Sequence, residues 1–140
     1  MTDSTVKLTS VQEDYLAIIY QEECETGLAR GCSIAECAGV TRATVATTLR
    51  ALKAKGLVSY EPYGPIVLTD VGRSIAQKLT RKRDVLQRFF EEVMVLEKET
   101  AHKLASELEH VVDAEIAQRF ERFNTFFATH GFDFDAKEKA

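Results

Sequence analysis

Residues 33–63 read SIAECAGVTRATVATTLRALKAKGLVSYEPY, and this stretch decides the fold. Ser33 begins an S-x-x-E capping box, and Gly39 is expected to end the short helix that the box opens. Thr41 can then cap a second helix that stops before Gly56. Two short helices joined by a tight glycine-containing turn are typical of a helix-turn-helix, and the β-prone residues that follow predict a small hairpin. The stretch therefore predicts a winged helix-turn-helix.

The second of these helices is the candidate recognition helix. Val45, Leu49 and Leu52 form its apolar face. The other face carries small, polar or basic side chains, which can enter a major groove about 12 Å wide. We expect Arg42 and the small residues to reach base edges or phosphates, and the later basic residues to contact the DNA backbone. The candidate DNA-contacting residues are Arg42, Ala43, Thr44, Thr47, Thr48, Arg50 and Lys53.

Charge is divided unevenly along the chain, which has 140 residues and a formal net charge of −4 at pH 7. Ten basic and three acidic residues lie between positions 26 and 83, whereas seven basic and thirteen acidic residues follow position 83. A basic segment beside an acidic one is typical of a DNA-facing half joined to a half with another role.

Helical periodicity dominates the rest of the chain. A further S-x-x-E pattern predicts that the first helix begins at Ser10. Thr69 is expected to cap a helix that runs to about Arg83. Later helices are predicted over residues 98–112 and from about Ala114, and the tail GFDFDAKEKA is expected to be loosely attached.

The predicted fold is mainly α: an N-terminal winged helix-turn-helix with a small β-hairpin wing, then an all-helical dimerisation domain. We place the winged helix over residues 1–75 and the all-helical dimerisation domain over 76–140. So small a second domain cannot bury all its large aromatic side chains, which favours a homodimer. The aromatic residues assigned to its core and dimer interface are Phe89, Phe90, Phe120, Phe123, Phe126 and Phe127.

Composition excludes several classes of protein. Hydrophobic residues make up 45% and charged residues 29%, which is an ordinary globular balance. The polar start MTDSTVKLTS is not a signal peptide, and no apolar run reaches the roughly 20 residues that span a bilayer. We therefore expect a cytoplasmic protein without membrane association. The sequence has no nucleophile-elbow, P-loop, zinc-protease or dinucleotide-binding motif, so an enzyme is not expected.

Three cysteines, Cys24, Cys32 and Cys37, are expected to be small buried or half-buried thiols. Their odd number and the lack of a C-x-x-C pattern argue against a disulfide framework and a structural zinc site. A redox-sensing regulator stays open as an alternative, and so does a winged helix that contacts only proteins.

The sequence resembles the metal-dependent repressors of the diphtheria-toxin-repressor and manganese-transport-regulator type. The similarity rests on SVQEDYLAIIY, on the stretch quoted first, on VLTDVGRSIAQKL and on LEHVVDAEI, in that order and spacing. The length matches shorter members that lack an SH3-like domain. The resemblance implies a homodimeric repressor that binds a palindromic operator in double-stranded DNA, controlled by a divalent transition metal such as manganese or iron.

Carried over from the resemblance, the metal ligands are Asp14, Glu109 and His110, with His102 at an accessory site. The remaining family positions depart from the pattern and reduce the ligand set: Ala17 and Ser106 replace possible ligands, Arg83 replaces a histidine, Gln87 replaces an accessory carboxylate, and the wing tip is Gly64-Pro65.

Helical spacing by itself places five polar residues on one face of the helix predicted over 98–112 and just beyond it. An ordinary solvated polar face and a metal site are both compatible with this spacing. A metal that bridges Asp14 to Glu109 and His110 would hold the two DNA-binding domains of the dimer at one separation. The residues of this face are His102, Ser106, Glu109, His110 and Asp113.

Arg83 leaves the metal response open. A guanidinium cannot ligate a metal, and it could instead pair with Asp14 or Glu109 and substitute for the cation. The protein would then bind DNA without metal. Alternatively, Arg83 points to solvent as part of a basic run beside the DNA.

Overall fold

The structure is a computed structural model that describes residues 6–131. The chain divides into two compact units, Met1–Lys78 and Leu79–Ala140, so the division falls within a helix. The predicted loose tail, apart from Gly131, lies outside the described residues. The elements in chain order are α1 (Ser10–Thr26), α2 (Gly31–Ala38), α3 (Arg42–Ala54), β1 (Val58–Ser59), β2 (Val67–Leu68), α4 (Asp70–Arg88), a π-helical turn (Phe89–Val93), α5 (Lys98–Leu108) and α6 (Ala114–His130).

Helix α1 begins at Ser10 as predicted, but its cap is one residue earlier. The Thr9 hydroxyl accepts a hydrogen bond from the Gln12 amide at 3.1 Å, and the Gln12 side chain accepts one from the Thr9 amide. The capping box expected between Ser10 and Glu13 is therefore wrong. T-x-x-Q overlaps S-x-x-E here, and only the residue with extended backbone, Thr9, can be the cap.

Helix α2 begins two residues before Ser33, so the capping box predicted there is also wrong. The amide of Ile34 already donates to the carbonyl of Arg30 at 3.0 Å, which places Ser33 inside the first turn. Arg30 occupies the cap position without a side-chain hydrogen bond. At the other end, Gly39 adopts a φ of 69°, which confirms that glycine ends this helix.

Helix α3 follows the prediction closely. The Thr41 hydroxyl accepts from the Thr44 amide at 3.2 Å and caps the helix. The predicted apolar face of Val45, Leu49 and Leu52 is buried. These side chains pack with α1, α2 and the hairpin into the core of the first unit, whose largest fully buried members are Leu16, Ile19, Ile34, Leu52 and Leu57.

The predicted hairpin forms, although its strands have two residues each. Val58 pairs with Leu68 and Ser59 with Val67, in antiparallel register. An isolated bridge between Ala29 and Ile66 extends the ladder toward the loop before α2. A mainly α fold with a small β-hairpin wing after the helix-turn-helix is therefore confirmed.

Helices α4 and α5 differ in length from the predictions. Thr69 caps α4 as expected, accepting from the Gly72 amide at 3.1 Å, but α4 continues to Arg88 before the π-helical turn. Helix α5 stops at Leu108, because the amides of Val111 and Val112 both fold back onto its carbonyl. The side chain of Val111 is 76% exposed in this turn.

The second unit has a core of its own. The end of α4, the π-helical turn and α5 contribute its buried residues, and Phe89, Leu104, Leu108 and Phe120 pack against them. Helix α6 begins at Ala114 as predicted, with the Asp113 carboxylate accepting from the Ile116 amide at 2.9 Å. Across the described part of the chain, no helix is both long and apolar enough to cross a membrane.

Candidate DNA-binding surface and metal-binding residues

The outer face of α3 is available to a partner. While Val45, Leu49 and Leu52 anchor the helix in the core, the predicted DNA-contacting side chains are directed away from it. Thr48 is half-buried, and the exposed ones are Arg42, Ala43, Thr44, Thr47, Arg50 and Lys53.

Short-range hydrogen bonds hold the polar side chains of this face. The Thr47 hydroxyl donates to the Ala43 carbonyl at 3.1 Å, and a nitrogen of Arg50 donates to the Thr47 hydroxyl at 3.4 Å. The hydroxyls of Thr41 and Thr44 lie 3.0 Å apart. A guanidinium has five N–H donors, so this single contact leaves Arg50 with further donors for phosphate.

Lys53 joins the recognition helix to the wing. Its Nζ donates to the carbonyl oxygen of Tyr60 at 3.1 Å and lies 4.6 Å from the centre of the Tyr60 ring. The sequence predicts Lys53 only as a DNA-backbone contact and does not reveal Tyr60 as its partner. Seven positions separate the two residues across a turn, and no local sequence pattern reports such a pairing.

Glu23 is a second structural residue that local sequence patterns do not reveal. One oxygen of its carboxylate accepts from the Leu68 amide in β2 at 3.0 Å, and the other accepts from Arg73 in α4 at 2.7 Å. Its side chain is only 12% exposed. Glu23 therefore fixes the wing and the start of α4 to α1. In the sequence it appears only as an acidic residue close to the apolar face of a helix.

The cysteines are not the buried or half-buried thiols that were predicted, because all three are exposed. Cys37 lies on the solvent side of α2, with its Sγ 3.7 Å from a carboxylate oxygen of Glu22. Partial burial, and then the negative charge of Glu22 and this hydrogen bond, raise the pKa of the Cys37 thiol. A raised pKa lowers the thiolate fraction, which is opposite to what a reactive redox sensor needs.

Glu109 is the most deeply buried charged group among the described residues. Its side chain is 0% exposed and lies just after α5. Arg83 of α4 donates to it through Nε at 2.7 Å and through Nη2 at 3.3 Å. The Nε2 of His110 lies 3.9 Å from Oε2 of the same carboxylate. The second unit thus brings Glu109 and His110 together, and Arg83 pairs with Glu109 rather than pointing to solvent.

The other residues of the predicted polar face do not form one surface with Glu109. Helix α5 ends at Leu108, so the helical spacing does not continue to Asp113, which instead caps α6. His102 is exposed, and its Nδ1 lies 3.2 Å from Oε1 of Gln87. Within the described residues after Lys78, His102 belongs to no group of three potential metal ligands.

Asp14 was the remaining predicted ligand. Asp14 lies on α1, on the face opposite the buried residues Leu16 and Ile19, and it is exposed. Its place in the metal site continues to rest on the resemblance.

The donors of the second unit suit a divalent transition metal. A carboxylate and an imidazole are ligands that Mn²⁺, Fe²⁺ and Zn²⁺ accept. Glu109 is also a buried charge, and a buried carboxylate requires a cation or several hydrogen bonds. Arg83 already places a positive charge against both carboxylate oxygens of Glu109. Glu109 and His110 therefore suit a divalent metal, but Arg83 competes with that metal for the carboxylate.

An apolar surface runs along α6. Ile116 and Phe123 are 42% and 44% exposed, and Phe126 is 55% exposed. Phe90 is buried and Phe89 and Phe120 are half-buried, so the predicted aromatic cluster supplies both core and surface. A shallow groove of about 350 Å³ lies between these residues, lined by Phe89, Ile116, Arg119, Phe120 and Phe123.

Comparison with known proteins matches each half of the chain to a domain. Residues 7–66 match the N-terminal DNA binding domain of the iron dependent repressors, and residues 69–132 match their metal binding and dimerisation domain. An uncharacterised helix-turn-helix-type transcriptional regulator of Methanocaldococcus jannaschii is 32% identical over 79% of this chain and 90% of its own length. The transcriptional regulator MntR of Escherichia coli is 31% identical over 79% of this chain and 71% of its own length.

A solved structure agrees with these matches. A manganese-dependent transcriptional repressor in complex with manganese is 28% identical, with a TM-score of 0.74 over 82% of this chain and 53% of that protein. The chain thus spans about half the length of that solved protein. These similarities confirm the resemblance drawn from the sequence, and they favour metal control over the metal-independent and redox-sensing alternatives. The chain therefore belongs to the iron-dependent repressor family, a family of transcriptional repressors and not of enzymes, and carries both its DNA-binding domain and its metal-binding and dimerisation domain.

Proposed function

We propose that this protein is a homodimeric repressor that binds a palindromic DNA operator under the control of manganese or iron. The observation that carries the proposal is the exposed polar and basic face of α3, in a chain whose two halves match the DNA-binding and metal-binding domains of one family. Manganese and iron are favoured because the matched family is described as iron dependent and a solved relative binds manganese.

The DNA-contacting residues proposed are those of α3. Thr44, Thr47 and the neighbouring Ala43 are small enough to let the helix approach base edges in the major groove. Arg42, Arg50 and Lys53 carry the positive charge that binds phosphates, and Thr48 contributes a hydroxyl at the edge of this face. Their exposure and the basic character of the segment support this assignment.

The metal ligands proposed are Asp14, Glu109 and His110, with His102 at an accessory position. Glu109 and His110 are supported by their proximity and by the burial of Glu109. Asp14 and His102 follow from the family pattern. When bound, the metal would supply positive charge that carboxylates from different helices share, and so favour one conformation of the protein.

The dimer interface proposed is the exposed apolar surface of α6. Exposed large apolar side chains such as Phe123 and Phe126 are characteristic of an interface between subunits. A two-fold symmetric dimer carries two copies of α3, which matches a palindromic operator. We also propose residues 1–75 and 76–140 as the functional domains, and a cytoplasmic location.

Selection from a library of random DNA duplexes tests this function. In the presence of Mn²⁺, the wild-type protein should enrich an inverted repeat with half-sites about one helical turn apart. An Arg50→Ala variant should lose affinity for that repeat, whereas Lys103→Ala, which removes an exposed lysine from α5, should retain it. Enrichment of no common sequence, with or without metal, would contradict the proposal.

A further inference from the structure

The Arg83–Glu109 pair has the geometry of a strong, oriented ion pair. Both guanidinium contacts come from the same edge of Arg83, at 2.7 Å to Oε1 and 3.3 Å to Oε2, and Arg83 is itself only 16% exposed. Parallel N–H···O contacts of this kind fix orientation as well as charge. Since Glu109 is 0% exposed, water supplies little of the stabilisation that its charge needs. Arg83 therefore provides the positive charge that partners this buried carboxylate in the metal-free protein.

The two contacts are not equivalent. The shorter one is to Oε1, whereas Oε2 has the longer contact to Arg83 and also faces the imidazole of His110 at 3.9 Å. A metal that takes Glu109 and His110 as ligands must therefore approach the side of the carboxylate that Arg83 holds more weakly. A cation there is repelled by the guanidinium and competes with it for the negative charge of Glu109.

Lys82 provides a second attachment beside Arg83. Its Nζ donates to the Val112 carbonyl at 3.0 Å. Two consecutive residues of α4 thus hold the turn of residues 109–112, one through a carboxylate and one through the backbone. Because the Lys82 contact uses a backbone carbonyl and no proposed metal ligand, we expect it to be the same with and without metal.

We propose that Arg83 is a built-in competitor for the metal at Glu109: it stabilises the metal-free state and sets a high metal concentration as the threshold for binding. The inference rests on the proposed metal-controlled function. It assigns Arg83 a regulatory role, because the guanidinium must yield part of the Glu109 carboxylate before a metal can bind there.

Two substitutions separate the charge of Arg83 from the ligand that the family has at this position. Arg83→Gln removes the competing charge and should tighten Mn²⁺ binding roughly tenfold or more, as measured by isothermal titration calorimetry. Arg83→His removes the charge and adds a ligand, so it should bind more tightly still. Arg83→Lys keeps a cation without the two-pronged contact and should lie between wild type and Arg83→Gln, which provides a test if the other variants fold poorly.

Two controls isolate the effect. Arg81→Gln removes an exposed arginine two positions away and should leave Mn²⁺ affinity unchanged. Lys82→Gln loosens the turn at Val112 but keeps the cation at Glu109, so it should not tighten Mn²⁺ binding as Arg83→Gln does. In chelator, thermal unfolding should occur at a lower temperature for Arg83→Gln than for Arg81→Gln, because Glu109 loses its cation.

The outcomes distinguish this inference from the proposed function. If Arg83→Gln and Arg83→Lys bind Mn²⁺ no more tightly than wild type, while wild type still binds metal and DNA, the competition is wrong and the metal-controlled function stands. If neither the wild type nor any variant binds Mn²⁺ or Fe²⁺, both are overturned.

Discussion

The ammonium group of Lys53 donates to the Tyr60 carbonyl at 3.1 Å and lies 4.6 Å from the centre of the Tyr60 ring. The recognition helix α3 and the residue after β1 are therefore joined at a point that also belongs to the proposed DNA surface. An ammonium has three N–H donors, so Lys53 can hold the wing and still contact a phosphate.

This double role predicts that substitutions of Lys53 and of Tyr60 change the salt dependence of DNA binding differently. Lys53→Gln should weaken DNA binding and reduce the slope of log affinity against log salt by about one, because one phosphate contact is lost. Tyr60→Leu should weaken binding with an unchanged slope, because the charge remains and only the wing is less well placed. Fluorescence anisotropy over a salt series measures both. Equal slopes for Lys53→Gln and wild type would rule out the phosphate contact, and Lys103→Gln serves as the charge control.

Gly72 allows α4 to pass close to the hairpin. A Cβ at this position would overlap the carbonyl oxygen of Leu57, which also accepts the Thr69 amide at 3.0 Å. Gly72→Ala should therefore lower the free energy of unfolding by at least about 2 kcal/mol. Gly31→Ala is the matched control, since a Cβ there meets no atom within 4 Å and alanine favours the helix. Urea unfolding measures the difference, and equal stability of the two variants would refute the close packing.

The apolar surface of α6 predicts a specific loss of assembly. Phe123→Asp places a charge among Phe89, Phe126 and the proposed partner subunit, and should convert the dimer to a monomer in analytical ultracentrifugation. Val111→Asp changes a side chain that is 76% exposed in the turn after α5 and should leave the dimer intact. A dimer that persists in Phe123→Asp would place the interface elsewhere.

Cys37 should be a slow nucleophile because its pKa is raised by partial burial and by Glu22. A raised pKa keeps the thiol protonated to higher pH, so less thiolate is present at pH 8. In a Cys24→Ser, Cys32→Ser background, Glu22→Gln should move the pH profile of iodoacetamide alkylation to lower pH and raise the rate at pH 8. An unchanged profile would show that Glu22 does not influence this thiol.

The sequence predicts what short-range patterns determine. The cap at Thr41, the end of α2 at Gly39 and the buried face of α3 each depend on residues within a few positions, and all three are confirmed. Errors arose where patterns overlapped, as in the capping box that belongs to Thr9 rather than to Ser10. Where two capping patterns overlap in this way, only the backbone conformation determines which residue caps the helix.

The pairings that build the site were harder to predict. Arg83 and Glu109 are 26 positions apart, and the sequence left Arg83 with three roles: a partner for Asp14, a partner for Glu109 or a solvated charge. Hydrophobic periodicity also could not predict that α5 ends at Leu108. That end depends on the amides of Val111 and Val112, which both donate to the Leu108 carbonyl. That turn separates Asp113 from the helical face on which spacing had placed it.

The most direct test of the account is the affinity of the chelator-treated protein for its selected operator, measured with and without Mn²⁺ at fixed salt. Metal control predicts that saturating Mn²⁺ tightens DNA binding roughly tenfold or more, a coupling typical of allosteric ligands. Equal affinity in chelator and in Mn²⁺ or Fe²⁺ would contradict it and would identify a repressor whose DNA-binding conformation needs no metal.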